Sequence, residues 1–315
     1  MVPIEKESLV FCDKKPFLWL LIFILFLNTW SSTYDTMSKL IFSPHLIGIG
    51  ESGVAFAGTI DAMEINPAGL YTEDPIEVSS VYKSWYEGFH MASISSGVKI
   101  AEAHCIGIFI PYLVKTKISS LDEYGYPVGT YNYNILSPGI YYSYNFRKTI
   151  YLGAGTECAM QFVRDEFLAL PSLSLGAIAS FTTINIGASL TDIWMPIKDG
   201  DNQFNSSYKI NFGLLLKFQN AEASIQHSYI NESGHQLMAG IQYEILKTAD
   251  FRAGYVYKFS GKENILNGMR VGLGLKFNSI LIDYSAAYSR EFGITSAIGI
   301  NIKLFRNFSR KEETL

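Results

Sequence analysis

Residues 250–288 contain three blocks with one common pattern: DFRAGYVYKF (250–259), GMRVGLGLKF (268–277) and SILIDYSAAY (279–288). In the first block, apolar side chains occupy the odd-numbered positions, whereas Arg252, Gly254 and Lys258 occupy even-numbered ones. A period of two places the two sets on opposite faces of an extended strand. Each block is about ten residues long, which suits a tilted membrane-crossing strand better than the roughly 5–6 residues of a globular strand.

The same alternation recurs from Ile76 onward, and it predicts an all-β chain of about fourteen strands. The predicted strands are 76–85, 89–100, 103–114, 132–145, 149–162, 169–179, 181–191, 207–218, 221–230, 235–246, 250–259, 268–277, 279–288 and 294–304. A content of 20 Tyr and 21 Phe also favours pleated strands. We therefore predict an antiparallel transmembrane β-barrel over residues 76–305.

The connections between these strands fall into two classes. Those after even-numbered strands have one to three residues, such as 101–102 and 219–220, whereas the longest connections, 115–131 and 192–206, follow odd-numbered strands. Outer-membrane barrels have short periplasmic turns and long extracellular loops. This parity predicts an even strand count, with both chain termini on the periplasmic side.

Alternation alone does not separate a membrane barrel from a soluble sandwich, because the polar set faces the lumen in one and the solvent in the other. Strand length, loop parity and the tyrosines at the strand ends favour the membrane. One stretch has a rival interpretation: residues 167–191 contain no charged residue and are long enough for a transmembrane helix. Small polar residues alternate with apolar ones there, and Pro171 disfavours a helix, so we expect two strands.

The two ends of the chain differ from the predicted barrel. Lys14 and Lys15 precede an apolar run from Phe17 to Leu27, which is too short to span a bilayer and is typical of a signal peptide. We assign residues 1–31 to that peptide and 306–315 to a charged C-terminal tail. Of the three cysteines, Cys105 and Cys158 remain after cleavage, and the sequence does not show whether they pair.

Residues 32–75 are predicted to form an N-terminal segment of a different kind. Gly48, Gly50 and Gly53 match G-x-G-x-x-G, but no strand–helix–strand unit surrounds them, so close backbone packing is a better interpretation than dinucleotide binding. Within Asn66-Pro67-Ala68-Gly69, the Asn side chain can cap the backbone that follows it, and Pro67 suits a first helical position. A short helix or tight turn is expected at this point.

This segment resembles the N-terminal motif of FadL-like outer-membrane proteins, and within them the PorV/PorQ group. The similarity is carried by AFAGTIDAMEINPAGL (55–70) and, later, by AGIQYEILKTADFRAGY (239–255), GMRVGLGLKF (268–277) and ILIDYSAAY (280–288). The resemblance implies a fourteen-stranded barrel with the N-terminal segment as a plug, or hatch, that includes Asn66, Pro67, Ala68 and Gly69. The charged tail departs from the aromatic C-terminus of many such proteins.

Two functions follow from the resemblance. The first is passive uptake of small hydrophobic molecules such as long-chain fatty acids, with the plug shifting to let them pass. Lumen-facing charged side chains would then hold the plug or, alternatively, only pair across the barrel; they are Glu157, Lys209, Lys217, Glu244, Arg252, Arg270 and Asp283. The second is a PorV-like docking barrel whose partners are proteins of a secretion or surface-display system.

Other chemistry has little support in the sequence. The five histidines show no metal-ligand spacing, and no serine lies in a hydrolase motif, so no catalytic residue, metal site or cofactor is predicted. A net charge of −4 and the absence of a basic cluster disfavour nucleic acid as a partner. Outer-membrane lipid is the expected surroundings of the barrel.

Overall fold

The computed structural model describes residues 40–304, except 73, 165, 195–196, 200–201, 205–206, 232, 246, 260–267 and 290–292. The predicted signal peptide at 1–31, the first part of the plug segment at 32–39 and the charged tail at 306–315 lie outside the described residues. Within the described part, no helix is long and apolar enough to cross a membrane.

The described chain is built mainly of antiparallel strands. They are β1 Ile76–Ser84, β2 His90–Ala101, β3 His104–Leu121, β4 Pro127–Leu136, β5 Gly139–Phe146, β6 Ile150–Val163, β7 Glu166–Ser180, β8 Ile184–Trp194, β9 Ile197–Asp199, β10 Asn202–Phe204, β11 Lys209–Lys217, β12 Ala221–Ile230, β13 Gly234–Ile245, β14 Ala249–Lys258, β15 Met269–Phe277, β16 Ile280–Ser289 and β17 Gly293–Leu304. β4 and β5 both pair with β3 and β6, and β8 pairs with β11 across the separate β9–β10 pair. Every other strand pairs with its neighbours in the chain, and β17 returns to pair with β1. The sheet is therefore closed, so no edge strand exposes unpaired backbone N–H and C=O groups to lipid.

β4 and β5 are two parts of one barrel strand. Both pair with β3 in a single register, since Leu136 lies opposite Tyr112 and Gly139 lies opposite Phe109. The interruption falls at Ser137-Pro138, because proline has no N–H to give to the ladder. Joining β4 to β5 and setting aside β9 and β10 leaves fourteen barrel strands, which confirms the predicted number.

The two ends of the barrel differ as the loop parity predicts. At one end, here the turn end, β1 begins, β17 ends and the turns have two or three residues: 102–103, 147–149, 181–183, 218–220, 246–248 and 278–279. At the other, here the hairpin end, β3 and β4 extend as a two-stranded hairpin that closes at residues 122–126.

Two predicted boundaries at the hairpin end were wrong. Residues 115–131, expected to be a loop, are mostly strand, because cross-strand backbone hydrogen bonds maintain the ladder where both faces are polar and the sequence shows no alternation. The connection between β6 and β7 is only 164–165, because β7 begins at Glu166, which pairs with Val163.

The side chains alternate between the lumen and the exterior. Phe212 and Phe251 are 55% and 58% exposed on the outside, whereas their neighbours Asn211 and Arg252 are 1% and 3% exposed. An apolar exterior around a polar lumen is the pattern of a membrane barrel. Cys105 and Cys158 are both free thiols, with Cys105 buried.

Short helical pieces give the N-terminal segment its path. Helix α1, Pro44–Gly48, begins with proline at its first position, and the Ser43 hydroxyl accepts the Leu46 N–H. A 3₁₀ turn, Ile60–Glu64, follows the capping residue Thr59, and a second, Pro67–Gly69, follows Asn66. α1 packs on β14–β17, and the Pro67–Gly69 turn packs on β5–β7, so the segment crosses the lumen from one wall to the other.

Candidate functional site

The described part of the plug is held against glycines of the barrel wall. A Cβ added at any of ten strand glycines would meet plug atoms: Gly97, Gly107, Gly153, Gly176, Gly187, Gly213, Gly240, Gly254, Gly272 and Gly299. Eight of them form four opposed pairs on neighbouring strands, which places two bare backbones side by side. The glycines thus leave room for the backbone of the plug to touch the wall.

Asn66 is fully buried at one of these positions, beside Gly176. Its side-chain oxygen accepts the Ala68 N–H at 3.0 Å, and its amide nitrogen donates to the carbonyl of Val54 at 2.7 Å. The same nitrogen is 3.4 Å from the carbonyl oxygens of Ala177 and Ala188 on the wall. The predicted cap is therefore confirmed, and the residue also joins the plug to β7 and β8.

Further neutral hydrogen bonds surround Asn66. Ser189 donates to the Ile65 carbonyl at 2.7 Å, Asn185 donates to the Ala55 carbonyl at 3.0 Å, and the Gln226 side chain accepts the Val54 N–H at 2.8 Å. We call Asn66–Gly69, with these three wall side chains and the glycines of β6–β8, the asparagine seat. No charged side chain takes part in these contacts.

The opposite wall holds the plug on charged residues. Arg252 forms ion pairs with Asp283 and, at 3.2 Å, with Asp250, and all three side chains are nearly inaccessible to solvent. Lys276 extends the group by contacts of 2.8 Å with Glu244 and 3.0 Å with Asp250. We call this group, together with α1 and Gly50 that pack on it, the arginine seat.

His45 of α1 connects the plug to the arginine seat. Its Nε2 lies 3.0 Å from Oε1 of Gln242, which also accepts from Arg252 Nε at 2.9 Å. Burial, together with the Arg252 charge, lowers the pKa of His45 to about 3. The imidazole is therefore neutral at ordinary pH.

Two carboxyl groups of the plug lie near its start. Asp61 accepts from the Ser43 hydroxyl at 2.8 Å, and Glu64 accepts the N–H groups of Phe42 and Ser43 at 2.6 and 2.9 Å. Burial and the Asp283 carboxylate raise the pKa of Asp61 to about 7. Burial and Asp61 raise the pKa of Glu64 to about 8. Both groups therefore titrate near neutral pH.

The structure places the seven predicted charges on the lumen side of the wall but gives them different partners. Arg252, Asp283 and Glu244 pair within the wall, whereas Arg270 reaches the plug, with its Nε 3.6 Å from Glu51 Oε1. The remaining contacts are to wall residues: Glu157 accepts from Tyr141 and Ser137, and Lys217 Nζ lies 3.5 Å from the Ser180 hydroxyl. Lys209 is buried opposite Thr191.

One sector of the lumen is apolar on both sides of the plug. Buried apolar side chains from β2 to β8 form a continuous cluster with the plug residues Ile60, Met63 and Leu70. The wall members are Met91, Cys105, Phe109, Leu113, Ile135, Tyr141, Tyr151, Ala159, Leu170, Ile178 and Trp194. Trp85, Phe89, Tyr133 and Leu168 pack against the cluster. On β11–β17 the buried lumen residues are instead mostly polar, with Asn211, Gln226 and Ser285 as examples.

Most of the neutral residues that hold the plug were not predicted from the sequence. Gln226, Ser189 and Asn185 are ordinary polar positions in an alternating strand, and only their distance from the plug distinguishes them. The strand glycines carried a usable signal, because they fall on the lumen face in strand after strand. Gly48 and Gly50 pack directly on Gly272 and Gly254, in agreement with the close-packing interpretation of the G-x-G-x-x-G match.

Comparison with solved structures identifies barrels of the same shape. A Pseudomonas putida toluene transporter, TodX, matches with a TM-score of 0.62 at 10% identity, over 82% of this chain and 97% of that one. A TodX mutant, titled a monoaromatic hydrocarbon channel, matches with a TM-score of 0.58 at 13% identity, over 85% and 98% of the two chains. A Pseudomonas aeruginosa FadL homologue matches with a TM-score of 0.55 at 10% identity, over 83% and 98%.

No family model and no curated protein matches the sequence. Together with the closed fourteen-stranded sheet, the structural matches show that this chain has the fold of the TodX and FadL-type channels.

Proposed function

We propose that this protein is an outer-membrane channel for the passive uptake of small hydrophobic molecules. The observation that carries the proposal is the apolar sector of the lumen, which extends from Trp85 and Phe89 at the hairpin end to Met63 and Leu70 of the plug. Apolar side chains are not stabilised by facing a water-filled lumen. An apolar solute that leaves water, in contrast, gains about 25 cal/mol for each Å² of apolar surface that it buries there.

In this proposal the hairpin end faces the cell exterior and the turn end faces the periplasm, as in barrels with short periplasmic turns. A solute would enter between the hairpin and the β1–β2 connection, move along the apolar sector and stop at the plug. Release would require the asparagine seat to loosen, since that seat lies beneath the sector and is held by neutral hydrogen bonds.

The class of solute rests on two lines of support. The TodX structures are titled as toluene and monoaromatic hydrocarbon channels, and the sequence resemblance implies long-chain fatty acids. Both classes are hydrophobic, and the wall of the apolar sector fits both. We therefore propose hydrophobic molecules as the class and treat toluene and palmitate as test compounds.

The test is uptake of radiolabelled toluene and palmitate by Gram-negative cells that lack their own channel for these compounds. Cells with the wild-type protein should accumulate at least one compound faster than vector cells. Leu113→Asp, which puts a charge into the apolar sector, should abolish the gain, whereas Val128→Asp on the exposed hairpin should not. Equal uptake by wild-type and vector cells, with folded protein in the membrane, would refute the proposal.

A docking function is the second candidate, and the hairpin supports it. Tyr124, Tyr126 and Val128 are 77%, 69% and 65% exposed at its tip, and a groove of about 540 Å³ lined by Asn132, Asn134 and Arg164 lies at its base. Exposed aromatic side chains beside polar ones are common in protein interfaces. Extraction in mild detergent distinguishes the candidates: a stoichiometric protein partner that is lost with Tyr124→Ser and Tyr126→Ser favours docking.

A further inference from the structure

A row of polar side chains crosses the apolar sector on three neighbouring strands, β6, β7 and β8. Glu157 on β6 lies opposite Gly139 on one side and Ser172 of β7 on the other, and Ser172 lies opposite Trp194 of β8. Adjacent strands are about 4.8 Å apart, so the row spans roughly 10 Å of the wall. We call Glu157, Ser172 and Trp194 the polar row.

On its hairpin side the polar row borders apolar side chains. The next inward-facing pair toward the hairpin end is Ala159 and Leu170, both buried members of the apolar cluster. Toward the plug, the Tyr141 ring lies over Gly155, and its hydroxyl donates to Glu157. A solute that follows the apolar sector therefore meets these polar atoms before it meets Asn66.

Two atoms of the row have no hydrogen-bond partner among the residues that the structure describes. They are the Ser172 hydroxyl oxygen and the Trp194 indole nitrogen, in side chains that are 5% and 7% exposed. Buried polar atoms are rarely left without a partner, since each then loses the hydrogen bond that it made to water. An indole N–H can only donate and a hydroxyl can do both, so the missing group must include an acceptor.

The charges near the row disfavour an anionic ligand. Glu157 accepts from Tyr141 and, at 3.2 Å, from Ser137, and neither partner is a cation. Asp192, close to the row on β8, is a second carboxyl group. Of the lysines on the lumen side, Lys209 lies on β11, beyond β8, and Lys115 has its ammonium group 4.7 Å above the Phe89 ring near the hairpin end.

We propose that the polar row binds the uncharged hydrogen-bonding group of an amphiphile, such as an alcohol, and rejects a carboxylate. The hydroxyl oxygen of the ligand accepts from Trp194 and Ser172, its proton is donated to Glu157, and its alkyl part lies against Ala159 and Leu170. An ionised ligand would be buried against the row without a cation to compensate its charge. The proposal rests on the uptake function for its physiological role, but the binding step is measurable separately.

The experiment titrates the full-length purified protein in detergent with 1-octanol, octanoate and octane at about pH 8, where octanoate is ionised. Isothermal titration calorimetry gives the affinities, and each variant is first shown to be folded by its heat-modifiable migration in gels. The wild type should bind octanol at least about tenfold more tightly than octanoate. Ser172→Ala and Trp194→Phe should each weaken octanol binding about fivefold and leave octane unchanged.

Glu157→Gln keeps a hydrogen-bonding group at this end of the row and adds no cation. It should change the octanol and octanoate affinities by less than about threefold each, because the amide oxygen still accepts a hydrogen bond. Glu166→Gln, at the exposed end of β7, is the matched control and should change neither affinity. Equal binding of octanol and octanoate by the wild type, or unchanged octanol binding in both Ser172→Ala and Trp194→Phe, overturns the proposal.

The same variants distinguish this proposal from the uptake function. If cells take up toluene but the purified protein shows no preference for octanol, the channel function is supported and the polar row is refuted as a binding site. A preference for octanol that depends on Ser172 and Trp194, in a protein that transports neither toluene nor palmitate, would support the site and refute uptake.

Discussion

The plug rests on two seats of different chemistry, and the difference indicates which one can open. At the asparagine seat every described contact is a neutral hydrogen bond or a close approach to glycine. At the arginine seat, buried charges pair with each other in the wall, and the plug packs on top of them. The neutral hydrogen bonds that join the plug to the wall contribute about 1 kcal/mol each, whereas the ion pairs of the arginine seat join wall residues to each other and stabilise the wall itself.

This contrast assigns separate roles to the two walls. The wall of β14–β16 is stabilised by charges that stay together whether or not the plug moves, so it can act as a fixed support. The wall of β6–β8 holds the plug by bonds that water or a solute can replace one at a time. We therefore expect changes at the arginine seat to destabilise the whole barrel and changes at the asparagine seat to release the plug alone.

Arg252→Met should have the largest effect. It leaves Asp283 buried without a cation and Asp250 with Lys276 alone, and an uncompensated buried charge typically costs about 3–5 kcal/mol. Urea unfolding followed by the loss of β-sheet circular dichroism should shift to lower denaturant across the entire transition. Adding Asp283→Asn should recover part of the loss, and additive losses in the double variant would contradict the pairing.

Asn66→Ala should come second and act locally. Removing the side chain leaves the Val54 carbonyl and the Ala68 N–H without partners, at a cost of about 1–3 kcal/mol. Hydrogen exchange at residues 54–70 should accelerate, while exchange in β14–β16 stays at the wild-type rate. Asn132→Ala, an exposed asparagine that accepts from the Lys117 N–H, is the control. Equal acceleration in both regions would show that the seats are not independent.

The pH dependence of the plug should be smaller. In the seated plug the pKa values of Asp61 and Glu64 are about 7 and 8, above their ordinary 3.8 and 4.5, so the folded state holds protons that the unfolded chain releases. Stability is therefore lost as the pH rises from near 4 to about 8. His45 has the opposite effect on stability, because its pKa is lowered to about 3 in the folded state. Below its ordinary pKa of 6.5 the unfolded chain binds a proton on His45 that the folded chain does not, so stability there increases as the pH rises.

The net loss between about pH 6.5 and 7.5 should be roughly 1 kcal/mol, since one proton corresponds to about 1.4 kcal/mol for each pH unit. The loss is measured from the protection of plug residues against hydrogen exchange, in denaturant titrations at both pH values and with correction for intrinsic exchange rates. Asp61→Asn with Glu64→Gln should flatten the profile over this range. A slope that survives both substitutions would assign the titration to other groups.

Arg270→Gln should have the smallest effect. The pair that it forms with Glu51 is long, at 3.6 Å, and partly open to solvent, so the loss should stay below about 1 kcal/mol. Lys303→Gln, which loses a similar contact of 3.7 Å with Asp74, gives a reference for ion pairs between plug and wall. A loss near that of Arg252→Met would place Arg270 in the arginine seat.

Local patterns in the sequence determined much of the fold. A period of two is a property of each strand by itself, so the inward and outward faces, the strand number and the short turns followed from the printed residues. The capping role of Asn66 was also local, because the side chain bonds to backbone only two residues away. The break at Ser137-Pro138 had a local cause as well, and Pro138 could have been recognised as a residue without an N–H.

The site required the closed barrel. Arg252 and Asp283 lie 31 residues apart, and the plug residue Val54 and its wall partner Gln226 lie 172 apart, so no spacing rule joins them. Likewise, the sequence shows glycines on the lumen face but not which of them the plug touches. Only closure sets these distances, because the partner of a lumen residue depends on which strands face each other across the barrel. The sequence therefore determined the strands and their inward and outward faces, and the tertiary structure determined the two seats of the plug.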